Sequence, residues 1–140
     1  MFSLNEQLGK DCFIVGEFTL CEVLLLNDVN FPWLILVPKV EGVSELHHLT
    51  ESQQQQFLKE SGNIAAMIES LFKPDKLNIA AIGNKVRQLH IHHIGRFESD
   101  PCWPETVWGY GKGIPYTDQQ RDDTLARIRN FLSDLPDFTY

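Results

Sequence analysis

The 140-residue chain has no Cys-x-x-Cys pair, no long apolar run, no internal repeat and no surplus of positive charge. Its three cysteines, Cys12, Cys21 and Cys102, are scattered and odd in number. That spacing supports neither a zinc knuckle nor a dithiol redox motif, and reduced thiols packed as small hydrophobes in a cytoplasmic protein are expected. The longest apolar stretch, Phe31 to Pro38, is far too short to span a bilayer. The first turn carries Asn5, Glu6, Gln7 and Lys10, unlike the apolar heart of a secretory signal. Twelve basic residues against 19 acidic ones leave a net charge of −7. A binder of polymeric nucleic acid or of an anionic membrane needs a basic footprint, so neither partner is expected. A small anionic ligand held at a local site remains compatible with this charge.

What is present suffices for one ordinary core: 43% of the residues are apolar and 11% aromatic. No linker-like segment divides the chain, which reads as a single domain over 1–140. Phe13 to Leu20 and Cys21 to Leu26 are candidate strands. Trp33 to Val37, apolar throughout and bracketed by Pro32 and Pro38, reads as a buried central strand. Thr50 to Phe72 is the clearest helix. Thr50 with Gln53 makes a capping box, and Phe57, Ile64, Ile68 and Leu71 fall on one face. Gly62 allows a bend there, and Pro74 ends the helix. Leu77 to Ile82, a turn at Gly83-Asn84, and Leu89 to Ile94 are expected to form an antiparallel hairpin. A last helix begins at Thr117, with Leu125, Ile128, Leu132 and Leu135 inward. Strands that follow one another without alternating helices argue for an α+β fold.

Residues 88–96 read Gln-Leu-His-Ile-His-His-Ile-Gly-Arg. Side chains two apart on a strand share a face, so Gln88, His90 and His92 are expected side by side, roughly 6–7 Å apart. His93 points the other way, into apolar surroundings, and is expected to be a core histidine with one hydrogen-bond partner. Imidazole is a nucleophile near neutral pH, and its attack on phosphorus divides one hard displacement into two easier ones. The attacking ring needs its second nitrogen held by an acceptor, and the phosphate oxygens need donors. His90 with His92 meets both needs. Gln88 can donate through its amide but cannot deliver a proton. His90 and His92 as metal ligands lack an evident third partner, since Glu98 and Asp100 are near only in sequence. His47 and His48, beside Glu45, point apart in an extended chain and read as surface residues.

This stretch resembles the signature of the histidine-triad (HIT) superfamily, His-φ-His-φ-His-φ-φ with φ apolar, and its diadenosine tetraphosphate hydrolase-like branch. Arg96, four residues after His92, fixes the register: His92 third, His90 in the middle, and Gln88 in place of the first histidine. A second register, His90 first and His92 in the middle, puts Ile94 in the third place, where it cannot bind phosphate. Phe31 to Lys39 resembles the family's central strand ending in apolar-Pro-Lys. The likeness runs over most of residues 15–100.

The resemblance implies a five-stranded antiparallel sheet with a long central helix and a C-terminal helix. It implies that His90 becomes nucleotidylated, that His92 contacts the phosphate, and that Gln88 orients the leaving group. Gly83 and Asn84 fall where the family approaches the phosphate, and Asn27 where some members contact ribose. Arg96 and Lys85, which flank the strand, are read either as charges offsetting the −7 for an anionic ligand or as plain surface residues. Substrates would be nucleoside phosphoramidates, adenylates or dinucleoside polyphosphates, with no metal or other cofactor, in a homodimer. A nucleotide-binding module without turnover is the alternative, and a metal-binding protein the third. Trp103 and Trp108, in a Pro/Gly-rich segment, are read as covering a pocket or a dimer seam, or as stapling the loop to the core.

Overall fold

A computed structural model describes residues 1–140. Five strands form one antiparallel sheet: β1 (Cys12–Glu17), β2 (Cys21–Leu26), β3 (Trp33–Pro38), β4 (Lys76–Ala80) and β5 (Ile91–Arg96). Their spatial order is β1-β2-β3-β5-β4, so β5 is inserted between β3 and β4. A short helix α1 (Glu6–Asp11) precedes the sheet, α2 (Glu51–Phe72) links β3 to β4, and α3 (Asp118–Leu132) follows β5. This is the expected α+β arrangement.

Alternation along the strands divides the core in two. One face presents Val15, Val23, Leu25, Leu34, Leu36 and Ile91 to α2 and α3, which contribute Ile64, Met67, Ile68, Ile128 and Leu132. The other face presents Leu24, Trp33, Ile35, Val37 and Ile94, and is covered by Leu8, Phe31 and Val107. All six residues of β3 are buried, because both faces of this central strand are covered. That is why it reads as an unbroken apolar run rather than an alternating one.

α2 begins on the capping box of Thr50 and Gln53 and runs through Gly62 without interruption. It ends at Lys73, which adopts the left-handed conformation (φ 51°) ahead of Pro74. Glu60, fully buried on α2, accepts the backbone N–H groups of Leu20 and Cys21 at 2.9 Å each, which satisfies the turn between β1 and β2. Thr117 caps α3 with Gln120 in a second capping box. At the other end of the chain, Thr139 makes a two-way backbone bridge to Glu17, and Phe138 packs edge-on against Phe18.

The hairpin expectation needs correction. β4 ends at Ala80 and β5 starts at Ile91, so residues 81–90 form a loop rather than a tight turn at Gly83-Asn84. Within this loop Leu89 gives its N–H to Val43, across the chain, instead of to β4. Gln88 and His90 therefore lie outside the strand, and only His92 takes its direction from the ladder. Gly95 is needed on β5. A Cβ there would meet Pro32 Cγ at 2.6 Å, while its N–H bonds to the Pro32 carbonyl at 2.9 Å.

Candidate functional site

His90 and His92 do come together: their ring centroids are 5.0 Å apart. Both are buried, at 6% and 7% exposed. Their face of the sheet is covered by aromatic side chains and by the N-terminal residues. His92 lies edge-on to Trp33 (5.7 Å) and to Trp108 (5.2 Å). Phe2, Leu4 and Leu8 pack in the same apolar cluster as Trp33.

The hydrogen bonds fix the two rings in complementary states. His90 Nδ1 lies 2.7 Å from the Gln88 main-chain carbonyl. A carbonyl only accepts, so Nδ1 carries the proton and Nε2 is left with a lone pair. The indole N–H of Trp33 donates to His92 Nδ1 at 2.9 Å. Indole only donates, so His92 Nδ1 holds the lone pair and Nε2 carries the proton. Burial, then the neighbouring His90 and His93, bring the His92 pKa down from 6.5 to about 4. One imidazole thus offers a nucleophile and its neighbour a neutral donor.

Two cavities flank the pair. The first, about 490 Å³, is lined by Gly83, Asn84, Gln88 and His90 with Ser44, Glu45 and Arg87. Ile82 is part of its wall. An added Cβ on Gly83 would stand 2.8 Å from the Val86 carbonyl, so this tight loop requires glycine. The second cavity, about 380 Å³, is lined by Asn27, Asp28, Phe31, Trp33, Trp108 and Tyr110 among others. Asn27 accepts the Tyr116 N–H through Oδ1 (2.8 Å), and buried Asp28 accepts those of Asn30 and Ile114 through its own Oδ1 (3.0 and 3.3 Å). Trp33 and Trp108 are the partition between this aromatic cavity and His92.

Two expected roles are not supported by the geometry. Arg96 is 1% exposed and spends its guanidinium internally. Nε and Nη2 form a fork on Asp100 (2.8 and 3.1 Å), Nη1 reaches Asn78 (3.0 Å) and Nη2 the Glu105 carbonyl (2.8 Å). Phe31 and Trp103 lie against its charged carbon at 5.6 and 5.7 Å. It is the keystone of the loop after β5, with its guanidinium nitrogens turned to protein partners. The Gln88 amide is also committed: Oε1 accepts the Asn5 N–H (2.8 Å) and Nε2 donates to the Ser3 carbonyl (2.9 Å). It is not aimed as an orienter of a leaving group. Trp108 lines a pocket, and Trp103 staples the loop through Arg96. His47 and His48 sit exposed on a short turn, and no group of three or more His, Cys, Asp or Glu side chains is arranged to hold a metal ion.

His93 is a core residue with two partners rather than one. Its Nδ1 meets the Ile91 carbonyl (3.1 Å) and its Nε2 the Ser61 hydroxyl (2.7 Å), and burial brings its pKa to about 4. His92 and His93 are thus neutral when folded and bind a proton more readily when unfolded. Their contribution is complete above the unfolded value of 6.5 and is lost as pH falls from 6.5 toward 4. Each is expected to cost about 3 kcal/mol by the bottom of that window. Asp100, held at about 2 by Arg96 and backbone N–H groups despite its burial, adds its loss only below its ordinary 3.8. Urea unfolding at a series of pH values checks this. A stability curve flat between pH 6.5 and 4 would contradict it.

Trp33 and Asp28 were not singled out by sequence reasoning as site residues. Trp33 sits in an apolar run whose only local signal is burial.

Comparison with known proteins comes to the same place. The HIT domain model matches residues 7–99. A histidine-triad protein structure from Marinobacter aquaeolei is 46% identical, with 96% of this chain and 98% of that one covered and a TM-score of 0.93. A histidine triad (HIT) protein from Sinorhizobium meliloti is 41% identical over 94% and 98%, with a TM-score of 0.91. A histidine triad protein from Bradyrhizobium japonicum is 36% identical over 92% and 96%, with a TM-score of 0.90. No curated protein matches the chain. A matched model over most of the chain, together with relatives of this identity and coverage, establishes that the chain belongs to the HIT domain family.

Proposed function

We propose that the protein is a nucleotide hydrolase or nucleotidyl transferase that works at an α-phosphate through a covalent intermediate on His90. The observation that carries this is the pair of opposite tautomers, each fixed by a partner of single hydrogen-bonding sense. His90 Nε2 attacks phosphorus as the bond to the leaving group breaks and its electron pair departs with that group. Nδ1 keeps its proton on the Gln88 carbonyl, where the positive charge of the phosphorylated ring is stabilised. His92 Nε2–H and the main-chain amides near Gly83 and Asn84 serve the phosphate oxygens. The leaving group exits into the first cavity, where no side chain is poised as its acid, and takes its proton from solvent. The nucleoside lies in the aromatic cavity with Asn27 and Asp28 at its polar end. Water, or another acceptor, then displaces His90. Phosphoramidates, adenylates and dinucleoside polyphosphates fit this chemistry. The bond from the Trp33 indole to His92 Nδ1 supports the register with His90 in the middle, since it leaves His92 a donor rather than a nucleophile.

The reading includes a homodimer, supported by the open edge at β4 with Ile79 half exposed, and a cytoplasmic setting, supported by three free cysteines. No helix is long and apolar enough to cross a membrane. The missing leaving-group acid favours a nucleotide-binding module as the second reading. Incubation with a labelled adenylate and acid-free quenching separates them: label on His90 supports the enzyme. Bound nucleotide with neither label nor product supports the module.

Trp33→Phe keeps the aromatic packing and removes the donor to His92. The loss of one orienting hydrogen bond, about 1 kcal/mol, is expected to lower kcat several-fold to tenfold. Nitrogen NMR of the His92 ring should show the proton divided between its two nitrogens. An unchanged tautomer in Trp33→Phe would remove Trp33 from this role.

A further inference from the structure

Gln88 faces two ways. Its side-chain amide pairs with the Ser3 carbonyl and the Asn5 N–H, the two main-chain groups that flank Leu4, as a neighbouring strand would. Its main-chain carbonyl holds His90 Nδ1. Little else orients this residue. Between Ala81 and His90 the only backbone–backbone hydrogen bond runs from Leu89 to Val43. The N-terminal residues are themselves well seated: Phe2 and Leu4 pack against the apolar cluster that contains Trp33, and Asn5 caps α1 through Gln7.

We propose that Gln88 is a positioning residue that couples residues 1–5 to the nucleophile, so that the seating of this N-terminal segment sets the angle at which His90 meets phosphorus. The chemistry explains why glutamine occupies the place. A primary amide presents a donor and an acceptor side by side on one carbon, the pattern that an extended backbone offers. The two nitrogens of an imidazole diverge and cannot bracket Leu4 in this way. The exchange of histidine for glutamine gives up a group able to carry a proton and gains a latch on the segment that covers the site. This inference rests on His90 as the nucleophile.

Asn5 supplies the test without touching the site. Its φ of −54° suits proline, and Asn5→Pro deletes the N–H that Gln88 accepts. Asn5→Ala keeps that N–H and removes only the helix cap. We expect Asn5→Ala to remain within about twofold of the parent in kcat. Asn5→Pro and Gln88→Ala should each lower kcat about tenfold with KM nearly unchanged, and the double variant should be no slower than either alone. The His90 Nδ1 proton should exchange faster with solvent in both. Parental kcat and parental exchange in Asn5→Pro and Gln88→Ala, alongside faster amide exchange over residues 2–5, would show the segment and the nucleophile to be uncoupled. If the parent protein forms no nucleotidyl-His90, the nucleotidyl-transfer reading falls, and the exchange of the His90 proton still decides the coupling.

Discussion

His90→Asn is expected to reduce turnover by about 10⁴-fold or more and to abolish the trapped nucleotidyl intermediate. Asparagine retains a side-chain N–H for the Gln88 carbonyl, so the loop keeps its anchor and the protein should fold with parental stability. It has no lone pair able to form a stable bond to phosphorus. Nucleotide affinity should change little, because the aromatic cavity and His92 are untouched. The effect should therefore appear in kcat with KM roughly preserved, as for a group that acts in the transition state. The corresponding His92 variant should be impaired less, since donors from the main chain remain. Turnover within tenfold of the parent in His90→Asn, measured on an adenylate, would place the nucleophile elsewhere.

The largest structural effect belongs to Arg96. Arg96→Met is expected to lose about 3–5 kcal/mol, a large share of the roughly 5–15 kcal/mol that holds a domain of this kind. The cause is less the lost attraction than the carboxylate left behind. The side chains of Arg96 and Asp100 are each 2% exposed, so Asp100 would stay buried with only the N–H groups of Phe97, Cys102 and Trp103 for company. Adding Asp100→Asn to Arg96→Met should recover part of the loss, because the uncompensated charge goes. Arg96→Lys should also be destabilising, since a point ammonium cannot span the fork. Urea unfolding of the three variants measures this. Parental stability in Arg96→Met, together with weakened nucleotide binding, would restore the ligand role that the sequence suggested.

Arg96 shows where sequence reading reached its limit. The alternating histidines pointed to the family to which the chain belongs, and the spacing of Arg96 from them was then used to set the register. Its internal bonding was not legible because Asn78 and the Glu105 carbonyl come from another strand and an irregular loop, and nothing in the local pattern marks Asp100 as its partner. Elements with strong periodicity or paired signals were legible to within a residue or two: β2, β3, the capped ends of α2 and α3, and the apolar face of α2. The loop 81–90 was not, because it alternates like a strand yet has its backbone drawn toward Val43 and its glutamine toward Ser3 and Asn5. Bonds that span more than 80 positions leave no trace in a local window. The pairing of His90 and His92 survived that error because the rings converge from a loop and a strand end. Trp33 was seen as core and not as a hydrogen-bond donor, since an apolar run hides which member faces a histidine.

The bridge between Thr139 and Glu17 has a consequence for how the molecule tolerates cutting. β1 is an outer strand, and its outward main-chain groups near Glu17 are engaged by the last few residues. A chain clipped just after Leu135 would bare a template that invites a foreign strand, with Phe18 newly wetted beside it. The same loss would leave one flank unguarded in addition to β4, and a sheet adhesive on both sides can grow end to end. The tail therefore guards solubility, and its Tyr140 side chain, 76% exposed, is where a label can be attached without lifting that guard.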